Sequence, residues 1–263
     1  MAVTAAERLA ALAGAGPQCC VWLGLGDATV AEIAARSGFR LGVIDTEHGA
    51  ISSAALPDML RALALHGAAG LVRVGGLLPV EAKRALDCGA AGVLFPQIET
   101  VAEARAAAAA TRLPPEGRRG TATGVVRAAG FGLGADYAAT WNDRVLTGVQ
   151  IESRAGLAQA DEIAAVDGIH MLFFGPYDYA LDSGLDPAQD GDLIEAAFSE
   201  VLRAAAAAGK VAGVFPWPGA TPSALAAAGA SLICSASDVR LLVDGFGGAA
   251  AAIGGNSEKD EME

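Results

Sequence analysis

Histidine, lysine and cysteine are scarce in this 263-residue chain, which holds three histidines, three lysines and four cysteines. No CxxC spacing occurs among Cys19, Cys20, Cys88 and Cys234, so they read as small buried hydrophobes of a reducing compartment. Positive charge is also short: 18 Lys and Arg against 30 Asp and Glu give a net charge of −12. Such a surface repels phosphate backbones, which argues against a nucleic-acid partner. No apolar run is long enough to cross a bilayer, the Ala-rich stretch 104–110 included. The first residues carry Glu7 and Arg8 and lack the apolar centre of a signal peptide. A cytoplasmic protein without a membrane partner is expected. No GxGxxG follows the first apolar run and no GxxxxGK[ST] occurs, so the two common nucleotide fingerprints are absent.

Present instead are alanine, valine, leucine and 34 glycines, with hydrophobic residues at 53% and aromatics at 5%. This suits a compact α/β protein with Ala-rich helices. Short apolar runs recur at 20–25, 41–46, 71–75, 92–97, 146–152, 170–175, 211–216 and 231–237. They are apolar almost throughout, as expected of parallel strands buried on both faces. Helical patterns such as "TVAEIAARSG", "PVEAKRALDCG" and "DLIEAAFSEVLRAAAAAG" lie between them, and several close on glycine. The alternation predicts a single-domain (β/α)₈ TIM barrel over residues 1–253, followed by a polar tail at 254–263. A doubly wound open sheet is the alternative. Residues 112–144 are too long for an ordinary connection and carry Arg118, Arg119 and Arg127. They read as a loop near the site, a subunit contact or a solvated excursion.

Catalytic groups of such a barrel gather at the C-terminal ends of its strands. Those ends supply Asp45, Glu47 and His48 after the second run and Arg73 in the third. Gln97 ends the fourth, Gln150 and Glu152 the fifth, and Asp178 follows the sixth in "GPYD". Gln150 and Glu152 alternate with Val149 and Ile151, so both face the barrel mouth. Two carboxylates from consecutive strands, without His or Cys in their motifs, suit Mg²⁺ or Mn²⁺ completed by water and substrate. Equally, one could cap a helix and the other pair with an arginine. Arg73 ends an apolar strand and needs an anion, either a carboxylate or a ligand. His48 could be a base, a metal ligand or a helix-start residue, with Asp45 or another acid to orient it. His66 ends a helix and His170 starts the sixth strand, at the wrong face. Lys83, Lys210 and Lys259 lie on a helix, before a strand and in the tail, so no lysine is placed for Schiff-base chemistry.

The stretches "VAEIAARSGFRLGVIDTEHGA", "VRVGGLLPVEAKRALDCGAAGVLFPQIETVAEA", "TRLPPEGRRG", "VQIESRAGL" and "IHMLFFGPYDYALDSG", with "ASDVRLL", run in this order over most of the chain. Together they resemble the HpcH/HpaI family of class II, metal-dependent pyruvate aldolases. The resemblance implies a (β/α)₈ barrel, usually a hexamer built as a trimer of dimers with C-terminal helices exchanged. It implies Glu152 and Asp178 as ligands of Mg²⁺, Mn²⁺ or Co²⁺, with Gln150, Gly175, Pro176 and Tyr177 beside the substrate. Arg73 matches the arginine on the keto oxygen, His48 the base-associated histidine, and Asp45 lies in the same motif. Asp87 matches an acid reaching His48 from a neighbouring subunit. The implied reaction is reversible cleavage of a 4-hydroxy-2-oxo acid to pyruvate, or a close 2-oxo acid, and an aldehyde through a stabilised enolate. A carbon–carbon lyase acting on a CoA ester, like the citrate lyase β-subunit, is the alternative, although no basic patch suited to CoA phosphates is evident. Tyr177, Tyr179 and Trp217 depart from the family pattern and bear on substrate specificity.

Overall fold

The computed structural model describes residues 16–252, so the tail expected at 254–263 lies outside the described residues. Eight parallel strands close into a barrel in sequence order. They are β1 (Gln18–Leu23), β2 (Leu41–Asp45), β3 (Ala69–Arg73), β4 (Gly92–Phe95), β5 (Leu146–Ile151), β6 (Met171–Phe174), β7 (Val211–Val214) and β8 (Leu232–Ser237). Each of the eight apolar runs overlaps one of them, with β1 and β3 starting two residues before their runs, and the open-sheet alternative is excluded by the pairing of β1 with β8.

The period of two decides what each strand sends inward. Trp22, Leu41, Val43, Leu71, Leu94 and Phe173 fill the barrel interior. Their neighbours Leu23, Ile44, Val72, Val93 and Phe174 face outward, into the larger core under the helices. Burying each large side chain contributes roughly 1.5–3 kcal/mol. The same alternation carried one step further along β2, β3 and β5 turns Asp45, Arg73 and Gln150 inward. The interior thus changes from apolar to polar at its C-terminal end.

The helices are α1 (Ala28–Arg36), α2 (Leu56–Leu65), α3 (Pro79–Asp87), α4 (Val101–Thr111), α5 (Tyr137–Arg144), α6 (Arg154–Ala158), α7 (Ala160–Ala164), α8 (Pro176–Ser183), α9 (Gly191–Ala207), α10 (Pro222–Ala228) and α11 (Asp238–Ala251). Local signals start and stop them. Asp27 caps α1 through the Thr29 and Val30 N–H groups. Thr100 and Glu103 form a capping box on α4. Gly184 ends α8 in the left-handed conformation that glycine adopts most readily. The pattern at 157–166 is broken between α6 and α7 at Gln159, whose side chain accepts the Val101 N–H at 3.3 Å.

The excursion at 112–144 is ordered by its own core. It holds a 3-10 turn at Arg127–Gly132 and α5, whose Tyr137 and Trp141 are buried at helical spacing. Arg119 is fully buried, stacks over the Trp141 ring at 4.1 Å and pairs with Asp87 at the end of α3. Arg127 donates to the Cys88 carbonyl at 3.1 Å. These anchors lie on the helical shell at the end of α3, so the excursion does not line the mouth of its own barrel. No described helix is long and apolar enough to cross a membrane.

Candidate active site at the C-terminal mouth

Asp45 and Arg73 are register partners across β2 and β3, which brings two inward-facing ends side by side. Their pairing is bidentate: Arg73 Nε donates to Asp45 Oδ1 at 2.9 Å and Nη2 to Oδ2 at 2.6 Å. Trp22 Nε1 donates to Asp45 Oδ2 at 3.1 Å, and its ring lies under the Arg73 guanidinium at 4.8 Å. Burial pushes the Asp45 carboxyl up, but Arg73 outweighs it and holds the group below its usual range. The anion that Arg73 requires is therefore supplied by the protein.

Asp45 Oδ1 also accepts the Glu47 and His48 backbone N–H groups at 3.1 and 3.3 Å. This bends the chain after β2 back across the mouth. Asp45 meets His48 only through that backbone, not through the imidazole as the sequence suggested. The His48 side chain is 72% exposed, and its nearest acid is Glu47, 3.9 Å away. Glu47 Oε2 lies 2.9 Å from Arg73 Nη1. That oxygen is buried and has a charge contact there but no hydrogen bond. Burial raises the Glu47 carboxyl above its usual value, with the charges of Asp45 and Asp178 adding to the effect.

Across the mouth, Gln150 Nε2 donates to Glu152 Oε2 at 2.6 Å, and the Gln97 N–H donates to Glu152 Oε1 at 2.7 Å. Gln150 Oε1 lies 3.5 Å from Arg73 Nη1, linking the two halves. Gln97 sits at φ 52°, a left-handed conformation that aims its N–H at Glu152. Glu152 is pushed to about 7 by burial, with Asp178 and Glu47 reinforcing the shift. Asp178 lies in the first turn of α8 rather than in an isolated turn, behind Pro176. Gly175 lets this corner close: a Cβ there would fall 2.5 Å from Glu152 Oε2.

Several site residues are not singled out in the sequence. Trp22 looks like any apolar strand residue, and Phe215 packs on it at 4.5 Å to form an apolar wall. Asp238 accepts the Gly24 and Leu25 N–H groups, both at 2.9 Å, and braces the loop after β1. Other expectations are relocated. Trp217 is buried against Phe198 of α9, 6.1 Å between centroids, so it does not face the mouth. Tyr177 is exposed at the rim. Asp87 pairs with Arg119, and no hydrogen bond or ion pair joins it to His48 of the same chain. His170 is held neutral, pushed down to about 4 by burial, and accepts the Thr147 N–H before β6.

The donor set fits a hard divalent cation. Glu152 is a carboxylate raised by burial and by neighbouring acids, Glu47 presents a buried oxygen that has a charge contact with Arg73 but no hydrogen bond, and Asp178 acts on both electrostatically. Among the described residues, no three His, Cys, Asp or Glu side chains converge as a ready-made cage. That is the pattern of Mg²⁺-type sites, which keep waters and take few protein oxygens.

The HpcH/HpaI aldolase/citrate lyase family model matches residues 18–245. The chain belongs to this family. A hydroxypyruvate/pyruvate aldolase of Agrobacterium fabrum is 38% identical over 227 residues, covering 85% of this chain and 84% of its own. A 4-hydroxy-2-oxo-heptane-1,7-dioate aldolase of Salmonella arizonae is 34% identical over 244 residues, 93% of each chain. A crystal structure of a family protein from Burkholderia cenocepacia superposes with a TM-score of 0.86 at 37% identity, covering 94% of this chain and 98% of that one. As an HpcH/HpaI enzyme the protein is an aldolase, a carbon–carbon lyase.

Proposed function

We propose that the protein is a divalent-metal-dependent aldolase that reversibly cleaves 4-hydroxy-2-oxo acids to pyruvate, or a close 2-oxo acid such as hydroxypyruvate, and an aldehyde. The observation that carries this reading is Glu152, a buried carboxylate raised to about 7 at the mouth beside the Asp45–Arg73 pair. Glu152 and Asp178 would hold the cation, Mg²⁺, Mn²⁺ or Co²⁺, with Gln150 fixing the Glu152 carboxylate. When bound, the cation supplies charge that polarises the substrate's keto group and stabilises the enolate.

The chain's own residues do the rest. Arg73, locked by Asp45 and Trp22, presents its remaining N–H capacity to the keto oxygen, where negative charge develops. Gly175 and Pro176 form a close backbone wall for the substrate carboxylate, with Tyr177 at its rim. In cleavage, the C4 hydroxyl proton leaves toward the His48 side of the mouth, the C3–C4 bond breaks, and its electron pair becomes the enolate. The aldehyde departs and C3 is reprotonated. His48, exposed and beside Glu47, is placed to move these protons rather than to hold the cation. The described residues 16–252 serve as one catalytic barrel. The apolar face of α11, with Val239, Val243 and Phe246 exposed at helical spacing, supports assembly into a homo-oligomer, which we propose is a hexamer of three dimers. In that assembly Asp87 would reach the partner subunit's mouth.

The test follows C3 proton exchange of pyruvate by NMR with Mg²⁺ or Mn²⁺, then cleavage with a panel of aldehyde adducts. Exchange should require the metal and stop with EDTA. Glu152→Gln should abolish it together with metal binding, whereas His48→Ala should slow it with metal affinity nearly unchanged. Exchange indifferent to EDTA would overturn the proposal, and loss of metal in His48→Ala would overturn the role given to His48.

A further inference from the structure

A second feature lies away from the mouth. Between α3, α4 and the returning segment 118–120 is a groove of about 670 Å³ on the outer wall of the barrel. Lys83, Arg105, Arg118 and Arg119 line it, and no carboxylate does. Arg119 is paired with Asp87, but in a chain with 30 acids and 18 bases the other three cations, lining one cavity without a carboxylate partner among the described residues, are unexpected. Most arginines here meet a carboxylate within 4.0 Å, as Arg36, Arg61, Arg154 and Arg203 do. Lys83, Arg105 and Arg118 are exposed and, among the described residues, bonded to no side chain.

The groove is also built rather than incidental. Arg119 closes its inner end with a fully buried side chain, held by Asp87, Tyr137 and the Trp141 ring, and its Nε remains unpartnered among the described residues. The Arg118 N–H donates to the Ala109 carbonyl at 2.7 Å, and the Arg119 N–H to the Arg112 carbonyl at 2.9 Å. These bonds fix the backbone that carries Arg118 at the groove. Between the cations the lining is small and apolar, with half-buried Ala109 and buried Ala110 at its base.

Like charges lining one groove repel one another until an anion joins them. Guanidinium groups match phosphate oxygens bidentately, and a lysine adds a mobile point charge. The volume is that of a small-molecule site. We propose that this groove binds a polyphosphate-bearing small molecule, with the phosphates held by Lys83, Arg105 and Arg118 and any flat apolar moiety laid on the alanine floor. The site is separate from the mouth of its own barrel, so it does not turn the enzyme toward CoA-ester cleavage.

Calorimetric titration of the full-length, EDTA-treated protein tests this, with inorganic pyrophosphate and ATP as separate probes. Saturable one-to-one binding is expected, weakened about tenfold by Arg105→Ala or Arg118→Ala, as for loss of one charge-assisted contact. Lys83→Ala should weaken it similarly, and added salt, at about 300 mM, should weaken it strongly by screening. All three variants should retain wild-type aldolase turnover. Equal affinity for the two probes assigns the site to free polyphosphate, and tighter ATP binding shows that the floor takes the base. Absence of saturable binding, or binding that all three variants leave intact, would overturn the proposal. So would variants that fail to bind but change the sedimentation coefficient, since the cations would then serve a subunit contact.

Discussion

Replacing Glu152 by glutamine should make the metal-free protein more stable while removing its metal chemistry. Glu152 stands at about 7 against an ordinary 4.5. It therefore binds its proton more tightly in the folded chain than in the unfolded one. The stability linked to that proton is fully present below pH 4.5 and is lost as the pH rises through 7. A shift of this size corresponds to about 3 kcal/mol at ~1.36 kcal/mol per pH unit. The amide of the Glu152→Gln variant would stay neutral at every pH, and its oxygen could still accept the Gln97 N–H. Above pH 8 this variant, free of metal, should thus gain up to about 3 kcal/mol, or roughly 5–10 °C in melting temperature for a domain of this size. Below pH 4.5 the two proteins should converge.

The same proton controls metal binding, because a ligand carboxylate must be ionised. Affinity for Mg²⁺ should rise roughly fivefold from pH 6 to 7 and less than twofold from 7 to 8, following the ionised fraction of a group at about 7. Calorimetry at pH 6.5 in buffers of different ionisation enthalpy should report release of most of a proton per metal. Parallel melting curves of the two metal-free proteins between pH 5 and 8, or metal binding without proton release, would refute the reasoning.

Arg73→Lys keeps the charge but loses the fork that grips Asp45, so C3 exchange should fall by about 10²-fold or more with metal affinity largely kept. Arg73→Ala should instead cost about 3–5 kcal/mol in chemical denaturation, because it strands a buried carboxylate. Gly175→Ala should weaken Mg²⁺ binding at least about tenfold in calorimetry, since its Cβ would fall 2.5 Å from Glu152 Oε2 and displace that carboxylate. Trp217→Phe should leave the relative rates for different aldehydes unchanged in a competition assay, because Trp217 packs on Phe198 outside the mouth. A change in that ranking would return Trp217 to the site.

The barrel was legible because each strand is an unbroken apolar run between helices that begin on caps or prolines and end on glycine. Those signals are local. The polar ends of β2, β3 and β5 were legible for the same reason, since a charged residue inside an apolar run has few places to go. What could not be read was how those ends divide their partners. Strand order makes β2 and β3 neighbours, but only their register puts Asp45 opposite Arg73 and takes the carboxylate away from the His48 ring. Trp22 and Phe215 were invisible because an aromatic residue lining a mouth has the same pattern as one in a core. Trp217 was misplaced for the converse reason: a departure from a family pattern marks a position as different without saying which way the side chain turns.

The electrostatics of the mouth depend on more than any one of these contacts. Asp45 and Arg73 neutralise each other and form a rigid base, leaving Glu47, Glu152 and Asp178 with a single nearby arginine already committed. Three acids around one occupied cation give the mouth a surplus of negative charge that the folded chain relieves by raising Glu152 and Glu47. A protein selected for stability alone would place an amide or an apolar residue at 152. Retaining a carboxylate there makes sense if a cation completes the group during function, which is why the pH dependence of metal-free stability and that of metal affinity should run in opposite directions through the same pH window.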